Sequence, residues 1–109
     1  MYEYRATVVK IVDADTFDVK IDLGFRMTTE QRLRLLGVDA WEVRGDERTE
    51  GLAAKAFVVD AMPVGSTVII RTEKTGKYGR YLAHVELPDG RDLGETLIKE
   101  GHAEPYPGS

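Results

Sequence analysis

The stretch Arg34-Leu35-Leu36-Gly37-Val38-Asp39-Ala40-Trp41-Glu42 is the part of the sequence around which the rest is organised. It begins with the alternating side chains of a β-strand and then breaks into a turn that carries Asp39 and Glu42. A guanidinium at a strand end, followed closely by acids, can hold a phosphodiester beside a hard cation and a general base. The stretch therefore predicts a candidate site at the end of a strand.

The composition predicts a single globular domain over residues 1–109, with a soluble surface. Apolar residues make up 42% of the chain and charged residues 31%, which supports one hydrophobic core. No apolar run approaches the ~20 residues of a membrane span, and the N-terminus lacks the layout of a secretory signal. We therefore expect a cytoplasmic monomer without membrane contacts, unless a leader was removed. The absence of cysteine excludes disulfides and thiolate metal sites.

The net charge of −4 argues against a protein that binds duplex DNA by broad phosphate neutralisation. It does not exclude a nuclease, because a cation site needs carboxylates of its own. Between residues 71 and 80 the charge is locally +3, which indicates either a phosphate-binding loop or a solvated hairpin loop.

The hydrophobic pattern predicts an α+β fold that is mainly β. Five strands are expected at Tyr4–Val12, Thr16–Leu23, Met27–Val38, Thr67–Thr72 and Arg80–Leu87. One helix is expected at Leu52–Met62 and another after a capping Asp92, ending at Gly101, with a turn at Pro88-Asp89-Gly90 between strand and cap. Residues 43–50 are expected to be turn-like and residues 102–109 an irregular tail. This order predicts a five-stranded OB-fold barrel, with one helix between strands 3 and 4 and one after strand 5.

The chain resembles the staphylococcal (micrococcal) nuclease family, also called thermonuclease-like domains, over roughly Arg5 to Ala103. The motifs Asp13-Ala14-Asp15-Thr16, Arg34 to Glu42, and Lys77-Tyr78-Gly79-Arg80-Tyr81-Leu82-Ala83 carry the resemblance, in the right order and on the right elements. Members of that family are Ca²⁺-dependent phosphodiesterases on an OB-fold that cleave DNA and RNA and leave 3′-phosphates. The resemblance implies a nuclease of this kind, with Ca²⁺ as cofactor and nucleic acid, preferably single-stranded, as partner.

The resemblance also implies roles for the acidic residues. Asp15 and Asp39 match the carboxylate ligands of Ca²⁺, and the backbone carbonyl of Ala40 matches a third ligand. Glu42 matches the acid that positions or deprotonates the attacking water. An isolated Asp-x-Asp is more often a plain turn, so these roles depend on the motifs occurring together.

The basic residues are assigned in the same way. Arg34 and Arg80 match the two arginines that grip the phosphate, and Lys77 and Tyr78 match residues that contact a nucleotide phosphate. Forked guanidinium groups suit a phosphate that gains charge during attack better than a lysine does.

Two replacements favour one alternative function, and the acids leave a second one open. The type enzyme has threonine and proline where this chain has Ala40 and Trp41, so Glu42 could be held less firmly. One alternative is a catalytically weak or inactive OB-fold module that binds nucleic acid or protein. Another is a carbohydrate- or peptide-binding barrel with a structural Ca²⁺ site. Trp41 itself is expected to cover the barrel rather than to stack on bases.

Overall fold

The computed structural model describes residues 2–41, 45–75 and 81–106, apart from the side chains of residues 47, 74 and 75. The strands are β1 (Tyr2–Asp13), β2 (Thr16–Gly24), β3 (Met27–Leu35), β4 (Val38–Ala40), β5 (Thr67–Thr75), β6 (Tyr81–Glu86) and β7 (Ala103–Pro105). A short 3-10 helix (Gly45–Glu47) leads into helix α1 (Arg48–Ala61), and helix α2 (Leu93–Lys99) follows β6. None of the described helices is both long and apolar enough to cross a membrane.

Five of these strands close into a barrel in the order β1-β2-β3-β6-β5. The β3–β6 pair is parallel, with Leu33 beside Tyr81, and the other pairs are antiparallel. Helix α1 lies between the third and fourth barrel strands and α2 follows the fifth. The predicted five-stranded barrel with two helices is confirmed.

The barrel interior is built from the alternating apolar positions that predicted the strands. Phe17, Val19 and Ile21 on β2 all point inward, as strand geometry requires of residues two apart. Val58 of α1 and Leu97 of α2 belong to the same buried cluster, so both helices pack on the barrel core.

The third strand was predicted to run to Val38, and this prediction is wrong. Strand β3 ends at Leu35, and Gly37 adopts a φ of 82° that turns the chain before the separate strand β4. A residue with a side chain is strained at that angle, whereas glycine is not. The apolar residues continue through the turn, so the hydrophobic pattern alone did not show where the strand ended.

The tail was predicted to be irregular over residues 102–109, and this too needs correction. Residues Ala103–Pro105 form β7, which pairs antiparallel with β4 through Asp39 beside Glu104. The pairing is long-range and only three residues long, so no local periodicity could reveal it.

The region between β4 and α1 also differs from the prediction. The polar residues 45–50, expected to be turn-like, form the 3-10 helix and the first turn of α1. Residues 48–50 are exposed, so they lack the apolar spacing by which a helix is recognised. The remaining element predictions agree more closely: Asp92 caps α2 by accepting a hydrogen bond from the Glu95 amide at 2.9 Å.

Candidate functional site

The site begins at the tight turn between β1 and β2, which fixes the backbone of Asp15. Asp13 pairs with Thr16 across this turn, and the Ala14 side chain is fully buried beneath it. The Asp15 carbonyl accepts a hydrogen bond from the Leu35 amide at 2.8 Å. The turn is therefore attached to the end of β3, where the sequence motif places Arg34.

The Asp15 carboxylate is nearly buried and has polar partners on both oxygens. Oδ2 accepts a hydrogen bond from the Ala40 amide at 2.9 Å and lies 2.7 Å from Nη1 of Arg34. Oδ1 accepts from the Thr16 hydroxyl at 3.1 Å. Because a buried carboxylate is stable only when paired and hydrogen-bonded, these contacts explain how an acid is tolerated here.

The Arg34 guanidinium connects the three segments of the site. Besides its ion pair with Asp15, Nη1 donates to the Val38 carbonyl at 3.1 Å. Nη2 donates to Oδ1 of Asp39 at 3.4 Å. The planar guanidinium thus spans the turn at Gly37 and holds β4 against the end of the barrel.

Successive side chains of β4 point to opposite faces of the strand. Val38 and Ala40 are buried, whereas the Asp39 side chain is 60% exposed. Asp39 is therefore the accessible carboxylate of the site, and Asp15 the enclosed one. With Arg34 between them, the described part of the site carries one net negative charge, which favours a cation.

The donor chemistry fits a calcium ion. Carboxylate and backbone carbonyl oxygens are the ligands that Ca²⁺ takes, and Asp15, Asp39 and the Ala40 carbonyl are on adjoining elements. Three acceptor positions of the Asp15 carboxylate are used by its hydrogen bonds and ion pair, and a carboxylate offers about four. Within the described ranges no group of three or more His, Cys, Asp or Glu side chains could hold a metal. Water and substrate would therefore complete the six to eight oxygens that Ca²⁺ requires.

Four of the predicted site residues, Glu42, Lys77, Tyr78 and Arg80, lie outside the described residues. The structure does place their neighbours along the chain. Trp41 donates from Nε1 to the Gly101 carbonyl at 3.2 Å and from its amide to the His102 carbonyl at 3.4 Å. It therefore secures the segment after α2 and is half-buried there, which agrees with a covering role.

Sequence reasoning brought Asp15, Arg34, Asp39 and Ala40 to one site, and the structure places them together. It did not foresee two backbone contacts, the Val38 carbonyl on Arg34 and the Ala40 amide on Asp15. Both depend on the sharp turn at Gly37, and a glycine after a strand was the one signal that could have indicated it.

Comparison with known proteins adds an independent observation. Residues 32–107 match the family described as staphylococcal nuclease homologues. An uncharacterized protein of Methanocaldococcus jannaschii is 30% identical over 128 residues, covering 94% of this chain and 59% of the relative. An uncharacterized endonuclease of Escherichia coli is 28% identical over 104 residues, covering 95% of this chain and 62% of the relative. Protein ParB of Escherichia coli is 31% identical over 115 residues, covering 95% of this chain and 58% of the relative. The chain thus spans about three fifths of the length of these relatives.

Proposed function

The chain belongs to the staphylococcal nuclease homologue family, as its motifs predicted, and from this premise we propose that it is a Ca²⁺-dependent nuclease. It would hydrolyse phosphodiester bonds of DNA, RNA or both and leave 3′-phosphate ends. The observation that supports this proposal best is the convergence of Asp15, Arg34 and Asp39 within ion-pair distance at the end of β3. The Escherichia coli relative named an endonuclease is consistent with it.

Asp15, Asp39 and the Ala40 carbonyl would hold the calcium ion. When bound, the ion supplies positive charge beside the non-bridging oxygens of the phosphate. Asp15 is held by the Ala40 amide and the Thr16 hydroxyl as well as by Arg34. Asp39, exposed on β4, would be the carboxylate that approaches the ion from the solvent side.

Arg34 would bind the phosphate itself. Its Nη1 is occupied by Asp15 and the Val38 carbonyl, whereas the contact from Nη2 to Asp39 is long, at 3.4 Å. A guanidinium has five N–H donors, and so Arg34 can stay anchored through Nη1 while it offers other donors to the substrate. A donor fixed in this way stabilises charge that develops during attack without having to reorganise.

Glu42 and Arg80 would complete the reaction. Glu42 directs a water at phosphorus and accepts a proton from it, and Arg80, which precedes β6 in sequence, binds the phosphate. The new bond joins the water oxygen to phosphorus, and the bond from phosphorus to the 5′ oxygen breaks. The hydroxyl group of the water becomes part of the 3′-phosphate. The other proton of the water is transferred, in the overall reaction, to the 5′ oxygen that leaves.

The proposal is tested by cleavage of a labelled single-stranded DNA in calcium, in EGTA, and in calcium with the Glu42→Gln variant. Glu50→Gln, in the exposed first turn of α1, is a control that makes the same change outside the site. We expect calcium-dependent cutting with 3′-phosphate ends, reduced about 100-fold or more by Glu42→Gln, because a positioned base contributes that much. Near-normal turnover of Glu42→Gln would contradict the role of this residue.

Calcium binding is measured separately by calorimetric titration of the protein alone. Asp39→Asn should weaken binding, and Asp60→Asn on the exposed side of α1 should not. If the folded protein cuts nothing in calcium, magnesium or manganese, the nuclease proposal fails. Binding of single strands without cutting would then support the OB-fold binding module.

A further inference from the structure

A cavity of about 300 Å³ opens at one end of the barrel, and it is not part of the candidate site. Its floor is formed by Ile21 and Leu33, which are inward-facing core residues. We call this cavity the barrel mouth. Its rim includes Tyr2, Tyr4, Leu23, Gln31, Glu73 and Tyr81.

The rim of the barrel mouth is aromatic with interspersed polar groups. The Tyr2 and Tyr4 rings lie 6.5 Å apart between centroids and are tilted by 31°. Tyr2 is 72% exposed and Tyr81 42%, so both side chains are accessible to a ligand. Gln31 and Glu73 supply hydrogen-bonding groups beside the rings. Flat apolar faces with a few polar groups are typical of sites that bind planar, polar-edged molecules.

The hairpin between β2 and β3 adds another exposed aromatic ring. At its tip Gly24, Phe25 and Arg26 have φ values of 79°, 54° and 62°, and the Phe25 side chain is 99% exposed. Asn, Asp or Gly would adopt such a turn readily, whereas a bulky aromatic is strained in it. Phe25 therefore contributes nothing to the core and is unfavourable for the turn. Strained residues often occur where a ligand binds, so the Phe25 ring is a candidate contact.

The barrel mouth and the candidate site share strand β3 but lie on opposite faces of it. On β3, Leu33 of the floor immediately precedes Arg34. On β6, Tyr81 pairs with Leu33 and immediately follows Arg80 in sequence. Because successive side chains of a strand point to opposite faces, a chain whose phosphate lies at Arg34 must pass around the edge of the barrel to reach the rim.

We infer that the barrel mouth and the hairpin tip bind the bases of single-stranded nucleic acid outside the scissile phosphate. This inference rests on the proposed nuclease function and extends it to how substrate is recognised. Bases stack on aromatic rings irrespective of sequence, and OB-folds bind oligonucleotides on the face of strands 2 and 3. Arg26, beside Phe25, makes no ion pair with any residue in the described ranges and can meet a backbone phosphate. The Glu73 carboxylate suits the amino group of a base rather than a phosphate.

The test measures binding without cleavage, in EDTA, by fluorescence anisotropy. The probes are an oligothymidylate of about 16 nucleotides, the upper end of an OB-fold footprint, and an abasic deoxyribose-phosphate oligomer of equal length. The variants are Phe25→Asn, which removes the ring but suits the left-handed turn, and Tyr2→Ala. Val64→Ala, another exposed apolar residue, is the matched control.

We expect the wild type to bind the oligothymidylate more tightly than the abasic oligomer. Phe25→Asn should weaken oligothymidylate binding at least about fivefold, the lower end of what one stacked base contributes, and leave abasic binding unchanged. Its melting temperature should rise, because Asn relieves the strained turn.

Equal binding of the two oligomers by the wild type would overturn the inference. The inference would also be overturned if the wild type were a dimer and Phe25→Asn made it monomeric without changing its binding of nucleic acid. The hairpin tip would then contact a second copy of the chain. Failure of the nuclease proposal would give a different result. The protein would then cut no nucleic acid but would still bind the oligothymidylate more tightly than the abasic oligomer.

Discussion

Two arginines two residues apart on β3 each pair with an aspartate, Arg32 with Asp18 of β2 and Arg34 with Asp15 in the turn before β2, and the two pairs have different surroundings. Arg32 pairs with Asp18 at 2.8 Å, with side-chain exposures of 52% and 21%. Arg34 pairs with Asp15 at 2.7 Å, with exposures of 12% and 10%. The distances are nearly the same, so distance does not separate a surface pair from a candidate site.

What separates them is the number and kind of their other partners. Arg32 and Asp18 face each other across β2 and β3, and their hydrogen bonds join only these two side chains. Arg34 also contacts the Val38 carbonyl and Asp39, and Asp15 also contacts Ala40 and Thr16. The second pair therefore holds the exposed carboxylate of Asp39 beside the anchored guanidinium of Arg34. Within the described residues, the first pair is hydrogen-bonded to no further charged group.

The largest difference is expected in catalysis. Arg34→Ala should lower cleavage about 100-fold or more, because a preorganised donor to the phosphate is lost. Arg34→Lys should restore only part of the rate, since an ammonium lacks the planar fork. Arg32→Ala should cleave as the wild type does. Rates for a single-stranded DNA in calcium provide the measurement, and equal losses in the Arg32 and Arg34 variants would contradict the distinction.

The second difference is expected in stability. Asp15→Ala leaves the Arg34 guanidinium and the Ala40 amide without their shared acceptor in a nearly buried place. Breaking such a pair destabilises a protein by about 3 kcal/mol. Asp18→Ala should hardly move the midpoint of urea unfolding, because solvent replaces an exposed partner. Similar midpoints for the two variants would show that the Asp15 cluster is not a structural link.

The smallest difference concerns titration of the exposed pair. The hydrogen bond from Arg32 holds the pKa of Asp18 below its usual value of 3.8, and the Arg32 and Lys10 charges add to this lowering. Because the pKa of Asp18 is lower in the folded than in the unfolded chain, its ionised carboxylate stabilises the fold above about pH 4. This stabilisation is lost as the pH falls through the folded-state pKa. In Arg32→Ala the Asp18 pKa should rise toward 3.8, as followed by NMR titration of its carboxyl carbon. An unchanged pKa would mean that another group sets it.

Much of the architecture follows from the sequence alone. Alternating apolar residues such as Phe17, Val19 and Ile21 specify strands because successive side chains of a strand point to opposite faces. Asp92 specifies a helix start because its carboxylate accepts the Glu95 amide three residues on. These signals are local, so the order of elements, the barrel and the family could all be predicted. The grouping of Asp15, Arg34 and Asp39 was implied by the resemblance to a known family that motifs on those elements carry.

The tertiary structure decided what depends on contacts between distant segments. The pairing of β4 with β7, the Ala40 amide on Asp15 and the Val38 carbonyl on Arg34 all require the turn at Gly37. The alternating pattern of β3 puts Arg32 and Arg34 on the same face, and the motif singles out Arg34, but only the folded chain shows how different their surroundings are. The physical reason is that burial and the count of polar partners are properties of the assembled molecule, whereas residue type and spacing belong to the sequence.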